Sequence, residues 1–268
     1  MKKWQWLLIC ILCFGIGGVI GHVATGPTTV PSIIQPTSAT ANQPVIFVPG
    51  SNGTVEGFNG TFAKLNRQAT RHVLKVTVLK NGHLKTSGRF DQKIQHPVIV
   101  VAFENNADGD ENVFKQSEWF KLAAGKLAKQ YHFTHFGGVG YSNGGLVLTR
   151  YAERSGSGPN ITRLLTLGTP YNGMSEHITQ ETPMLADLKS RRQHLSKDLV
   201  VYSVGGTIND KNDGIVPAAS VAAGRLIFQK QVADYMTISV SQHHAAHTEL
   251  PDNPTVISLI QLLMFGRL

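Results

Sequence analysis

Cysteine is nearly absent from this chain: Cys10 and Cys13 are the only two in 268 residues, and both lie in its apolar N-terminal stretch. A protein cut free of that stretch keeps no thiol, which excludes disulfides, thiolate metal sites and thiol catalysis from the folded part. Charge is sparse as well, at 16% of residues against 41% hydrophobic, the reverse of what intrinsic disorder requires. No run of five like charges occurs, so the formal net charge of +8 is spread thinly and no nucleic-acid patch emerges. The positive excess serves solubility, and it permits a weak long-range association with an anionic cell envelope.

Lys2 and Lys3 precede an uncharged apolar run over residues 6–21, and small or polar residues follow over 22–29. A basic start, an apolar middle and small residues after it describe an export signal. The run falls short of the ~20 residues of a stable span, carries glycines and has no basic flank after it. Residues 1–26 are therefore expected to be a signal peptide that is cleaved, with retention as an N-terminal anchor as the alternative. Neither cysteine is preceded by the small residues of a lipoprotein-processing site. Loss of Lys2 and Lys3 lowers the net charge from +8 to +6. Residues 27–43, rich in Pro, Thr, Ser and Ala and without charge, have the composition of a flexible linker. Residues 44–268 then form one domain of a size usual for α/β enzymes.

Within that domain, short apolar runs at residues 45–48, 98–103, 136–141, 163–167, 199–204 and 235–240 are each too short for a helix. They alternate with helix-like segments at 57–69, 116–131, 143–154 and 253–265, the pattern of a mostly parallel, doubly wound sheet with helices on both faces. Residues 72–85 read as a β-hairpin turned by Asn81-Gly82. Residues 174–197 are polar and interrupt the strand rhythm; they are an excursion over the sheet, either a small cap on the site or an ordinary surface helix pair.

Gly140-Tyr141-Ser142-Asn143-Gly144 follows one of the apolar runs and opens a helical pattern, the strand–turn–helix context of a Gly-x-Ser-x-Gly nucleophile elbow. The serine stands in a tight turn, and side chains two residues to either side of it would collide with one another, hence the two glycines. A nucleophilic serine needs a base and the base an orienting acid, in the order Ser, Asp or Glu, His for this arrangement. Asp213, in Asn212-Asp213-Gly214, follows the run at 199–204, and the glycine permits a turn that aims the carboxylate back; Asp210 is the rival. His247 leads the loop before the last helix and is the expected base, with His243 and His244 as alternatives. The i, i+4 spacing of His243 and His247 also allows a metal reading, but Pro251 and its polar neighbours argue against a helix there, and no metal is expected. Backbone N–H groups of Asn143 and of the glycine-rich loop Gly50-Ser51-Asn52-Gly53 would form the oxyanion hole, Ser51 being favoured over Asn52 as the second donor. No Gly-Lys-Ser/Thr follows that loop, which excludes a phosphate-binding loop.

These segments together resemble the uncharacterised cell-surface α/β hydrolases of Gram-positive bacteria and, more distantly, the bacterial lipases. The resemblance is carried by Phe47-Val48-Pro49-Gly50, Gly140 to Gly145, Leu167-Gly168-Thr169-Pro170, Asp213 to Pro217 and His247. Pro49 stands where those relatives carry histidine, and Tyr141-Ser142-Asn143 replaces His-Ser-Met. The resemblance implies an α/β-hydrolase fold and an ester-type substrate, a small-molecule or lipid ester.

The acidic loop Asn106-Ala107-Asp108-Gly109-Asp110-Glu111-Asn112 lacks calcium-loop spacing and reads as a solvated loop bordering the mouth of the site, placed to repel acidic substrates. Asn52, Asn59 and Asn160 head Asn-x-Ser/Thr triplets, which the bacterial resemblance makes chance matches. The functional expectation is an exported serine hydrolase working through Ser142, His247 and Asp213 by an acyl-enzyme, with no cofactor. The alternative is a non-catalytic cell-surface binding or adhesion protein on the same scaffold.

Overall fold

The computed structural model describes residues 43–266 apart from 68–70, 154, 155, 157 and 242; the expected signal peptide, and the expected linker as far as residue 42, lie outside the described residues. In chain order the elements are β1 (Val45–Val48), α1 (Asn59–Leu65), β2 (Val73–Val78), β3 (Leu84–Gly88), β4 (Val98–Phe103), α2 (Asp110–Tyr131), β5 (His135–Tyr141) and α3 (Asn143–Glu153). There follow β6 (Asn160–Leu167), α4 (Pro183–Arg191), β7 (Val200–Gly206), α5 (Ala218–Ala222), α6 (Arg225–Phe228), β8 (Asp234–Val240) and α7 (Pro254–Phe265). The strands form one sheet in the order β3-β2-β4-β1-β5-β6-β7-β8, parallel throughout except for the β2–β3 hairpin. This is the α/β-hydrolase fold.

Central position explains why β1 is an unbroken Val-Ile-Phe-Val run instead of an alternating one: strands of a parallel sheet covered on both faces bury every side chain. Ile46 and Val48 join one core with Ile99 and Val101 of β4, and Val45 and Phe47 join the other with Val98 and Val100. Helices α2, α3 and α4 cover the first face through Phe120, Leu127, Leu148 and Leu188. The second face is covered by α1 and α7, through Phe62, Leu65, Val256 and Ile260. Each such side chain contributes ~1.5–3 kcal/mol by leaving water. All strands point their carboxyl ends the same way near the middle of the sheet, so the loops after β1, β4, β5, β6 and β7 share one edge, the edge where ligands bind in open α/β sheets.

Where the structure departs from the sequence expectation, the causes are local. Helix α2 begins at Asp110, not at residue 116: Gly109, at φ 105°, turns the chain, and Asp110 and Glu111 occupy the first turn, where the helix dipole favours anions. That polar turn hides the helix from a search for apolar spacing, and it takes the end of the acidic stretch out of the loop. The hairpin has the expected Gly82, at φ 79°, but its loop covers residues 79–83, closed by the Leu79 N–H on the His83 carbonyl (2.9 Å). The short α5 and α6 were not foreseen because four or five residues show no period. Residues 174–197 contain one α-helix and a 3₁₀ turn, Arg192–His194, in place of a helix pair. Pro183 opens α4, and Thr182 Oγ1 caps it by accepting from the Leu185 N–H. Asp187 of α4 then pairs with the buried Arg150 of α3 and with Arg191.

Candidate active site

Ser142 joins β5 to α3 in a left-handed backbone conformation, φ 52°, which costs a non-glycine residue ~1–2 kcal/mol. The turn is held from three sides: the Ser142 N–H donates to the Leu167 carbonyl (2.8 Å), and its own carbonyl accepts from the Gly145 N–H (3.0 Å) and Thr169 Oγ1 (3.1 Å). The glycines about the serine are required, and the two flanks do meet at residue 140, where a Cβ would lie 2.8 Å from the carbonyl carbon of Gly144. A Cβ on Gly144 would lie 2.1 Å from the Val48 carbonyl oxygen at the end of β1, and one on Gly140 would lie 2.5 Å from the Cα of Gly145. The elbow is thus pressed against the loop after β1, where a Cβ on Gly50 would sit 2.6 Å from the Cβ of Ser142.

Ser142, Asp213 and His247, distant in the chain, meet at this edge. The Ser142 hydroxyl lies 3.1 Å from His247 Nε2, and His247 Nδ1 lies 2.7 Å from Asp213 Oδ2. Asp213 is 1% exposed and His247 5%. The other carboxylate oxygen of Asp213 accepts the N–H groups of Ile215 (3.1 Å) and Val216 (2.7 Å), so the sealed charge is fully bonded. Gly214, at φ 93°, makes the turn that aims those donors. A carboxylate at Nδ1 keeps the ring proton there and leaves the Nε2 lone pair facing the serine hydroxyl. The His247 backbone N–H also donates to the Asp213 carbonyl (2.7 Å), and Tyr141 Oη donates to the His247 carbonyl (2.9 Å). Burial, with the Asp213 charge adding to it, pushes the Tyr141 phenol up to about 12, so it remains a donor.

The alternatives lie elsewhere. Asp210 is exposed at φ 63°, His243 is exposed, and His244 bonds the exposed Glu249 (3.0 Å). No helix joins His243 to His247, as expected; a short 3₁₀ helix with Pro251 inside it begins only at His247 and runs to Asp252. Among the described residues no three His, Cys, Asp or Glu side chains are grouped to hold a metal ion.

Of the two residues expected to line the oxyanion site, Asn143 is the first residue of α3 and Ser51 faces it across the elbow. Asn143 Nδ2 donates to Ser51 Oγ (2.7 Å) and to Asp108 Oδ1 (2.6 Å), and Ser51 Oγ donates to the same Asp108 oxygen (2.9 Å). The Asn52 N–H is committed to the Asn106 carbonyl (2.7 Å). These links between the loops after β1 and β4 escaped the sequence reading. Their one sequence signal is topological, since a loop after β4 adjoins a loop after β1 only when those strands are paired.

A cavity of about 420 Å³ opens over Ser142. Leu146, Met174, Met184 and Val216 give it an apolar lining, to which Asp108 and Asp110 add two carboxyls. Met184 comes from α4, so the excursion after β6 does contribute to the pocket. Met174 and Ile215 leave 61% and 50% of their surface in solvent at its mouth. Backbone donation from Gly109, followed by the bonds from Ser51 and Asn143, holds the Asp108 carboxyl below its ordinary range against the opposing effect of burial. Asp110 is pushed up, by burial first and by Asp108 second.

The profile of a family described as alpha/beta hydrolase of unknown function (DUF915) matches residues 33–267. Among solved structures, a protein provisionally named a cell surface hydrolase from Lactobacillus plantarum WCFS1 is 39% identical, with a TM-score of 0.78 over 86% of this chain and 94% of its own. The lin2722 product of Listeria innocua is 28% identical, with a TM-score of 0.76 over 84% of this chain and 94% of its own. A Bacillus licheniformis lipase in its propeptide form shares the fold alone, at 15% identity and a TM-score of 0.51 over 85% of this chain and 51% of its own. No curated protein matches the chain.

Proposed function

Since the chain belongs to the DUF915 family of α/β hydrolases, we propose that it is an exported serine hydrolase that cleaves a carboxylic ester, of a small molecule or a lipid, through an acyl-enzyme. The observation that carries this reading is the continuous hydrogen-bonded line from Ser142 Oγ through the imidazole of His247 to the buried Asp213. Ser142 Oγ attacks the ester carbonyl carbon while His247 Nε2 takes its proton, and Asp213 stabilises the imidazolium that forms. The carbonyl electrons move onto oxygen, which the N–H groups of Ser51 and Asn143 receive; the commitment of the Asn52 N–H to Asn106 favours Ser51 over its neighbour. Collapse expels the alcohol with the proton from His247, and a water activated by the same ring then releases the acid. No cofactor enters these steps.

The apolar lining suits an acyl or alkyl group, and its two carboxyls disfavour esters that carry their own negative charge. Export rests on the signal-like residues 1–26 ahead of a linker, and the name of the Lactobacillus relative supports a cell-surface location. Among the described residues no helix is long and apolar enough to cross a membrane.

The test is turnover of short p-nitrophenyl esters by the domain from residue 44, together with fluorophosphonate labelling. We expect wild type to turn over and take one label, and Ser142→Ala to do neither. Equal turnover in both would refute the assignment of Ser142, and an unlabelled, inert wild type would favour the binding-protein alternative.

A further inference from the structure

On the reading of Ser51 and Asn143 as oxyanion donors, we propose that Asp108 is a positioning residue that clamps the oxyanion hole, holding the loop after β1 against the head of α3. Three side chains close a triangle: Ser51 Oγ on Asp108 Oδ1 at 2.9 Å, Asn143 Nδ2 on Asp108 Oδ1 at 2.6 Å, and Asn143 Nδ2 on Ser51 Oγ at 2.7 Å. Its donors are all spent internally, the two amide hydrogens of Asn143 and the hydroxyl of Ser51. The corners come from three segments that follow β1, β4 and β5, neighbours in the sheet. A second tie joins two of those segments, for the Asn52 N–H reaches the Asn106 carbonyl (2.7 Å) and Asn106 Nδ2 reaches the Gly53 carbonyl (3.1 Å).

The clamp matters because the two oxyanion N–H groups belong to different segments. The elbow fixes the Asn143 N–H, but its distance from the Ser51 N–H depends on whatever joins the two loops. One oxyanion donor is worth ~10²–10³ in rate, and a displacement of about an ångström in a catalytic array costs ~10²-fold. A carboxylate in this place has an electrostatic drawback, since a negative charge near a developing oxyanion opposes it. Geometry offsets that drawback, because one oxygen of residue 108 accepts two donors from two different segments at once. The clamp therefore works through shape, with the charge as a by-product, and the two are separable. Asn at position 108 keeps an oxygen able to accept both donors and removes the charge, whereas Ala removes both.

The experiment compares kcat and KM of wild type, Asp108→Ala, Asp108→Asn, Ser51→Ala and the Ser51→Ala/Asp108→Ala double variant on p-nitrophenyl acetate. Asp108→Ala is expected to lower kcat about 10–100-fold with KM little changed, because the lost stabilisation belongs to the transition state. Asp108→Asn is expected to recover most of that loss. The double variant should be no worse than the poorer single one, as for residues acting as one unit. An Asp108→Ala enzyme with the wild-type kcat, or an Asp108→Asn enzyme as impaired as the alanine variant, overturns the clamp. Should Asp108→Ala not fold, Ser51→Ala decides alone: it removes a corner, and an unchanged kcat overturns the proposal. A wild type that neither turns over the ester nor takes the fluorophosphonate label brings down the hydrolase reading and this inference with it, whereas an active wild type indifferent to these variants overturns the clamp only.

Discussion

Two carboxylates are sealed in this protein to the same degree, Asp213 and Glu153, each with a side chain 0% exposed, and they have opposite surroundings. Asp213 receives two backbone N–H groups and an imidazole. Among the described residues neither oxygen of Glu153 has a hydrogen-bond partner, and Arg191 Nε stands 3.7 Å away. Burial pushes the Glu153 carboxyl up to about 8, with Arg191 pulling against it. The difference is one of backbone. Asp213 stands in a turn whose N–H groups converge on it, whereas Glu153 ends α3, where the helix presents carbonyls and the negative end of its dipole. Depth alone therefore does not set the surroundings of a buried acid; the backbone donors aimed at it do.

The comparison breaks most visibly at Asp213. Asp213→Asn presents an amide N–H to His247 Nδ1 and favours the wrong ring tautomer, and kcat on a p-nitrophenyl ester should fall ~10⁴-fold. A variant retaining a tenth of wild-type kcat would place the orienting acid elsewhere. Next in size is the ion-pair cluster around Glu153. Asp187→Ala leaves Arg150, 2% exposed, without its carboxylate, and should cost about 3 kcal/mol in chemical denaturation. A loss of under about 1 kcal/mol would show that the Phe114 ring beneath the guanidinium, 3.9 Å away, suffices to hold it. The smallest effect sharpens the contrast through pH. The Glu153 carboxyl is raised on folding, so its contribution to stability is full below the unfolded value of 4.5 and is lost as pH rises through about 8. Glu153→Gln should match wild type in Tm near pH 4.5 and exceed it by at least about 3 °C at pH 9, the shift that ~1 kcal/mol makes in a domain of this size. A constant difference across that range would mean that Glu153 does not titrate there.

Much of the architecture was legible because parallel strands buried on both faces write themselves as short apolar runs. The stretches that became β1 and β4 to β8 could be read that way, and the Gly-x-Ser-x-Gly pattern located the turn after β5. Ser142, Asp213 and His247 could be singled out because chain order and turn chemistry restrict the choices, and the structure brings these three side chains together. What escaped were features with no period or no local signature. The polar first turn of α2 hid behind its acids, and α5 and α6 are shorter than a pattern. The link from Asp108 to Ser51 and Asn143 depends on which strands pair, which a single sequence does not state. Part of the reason for Gly144 escaped for the same cause, since its nearest neighbour is the end of β1, almost a hundred residues upstream.

His247 is fastened to the segment around Asp213 twice, once by its ring on the carboxylate and once by its main-chain N–H on the Asp213 carbonyl. The acid and the base therefore travel as a cassette. A graft that moves this histidine to another scaffold without the 212–217 turn transplants an imidazole with no fixed bearing, whereas one that carries both segments transfers the aim along with the chemistry.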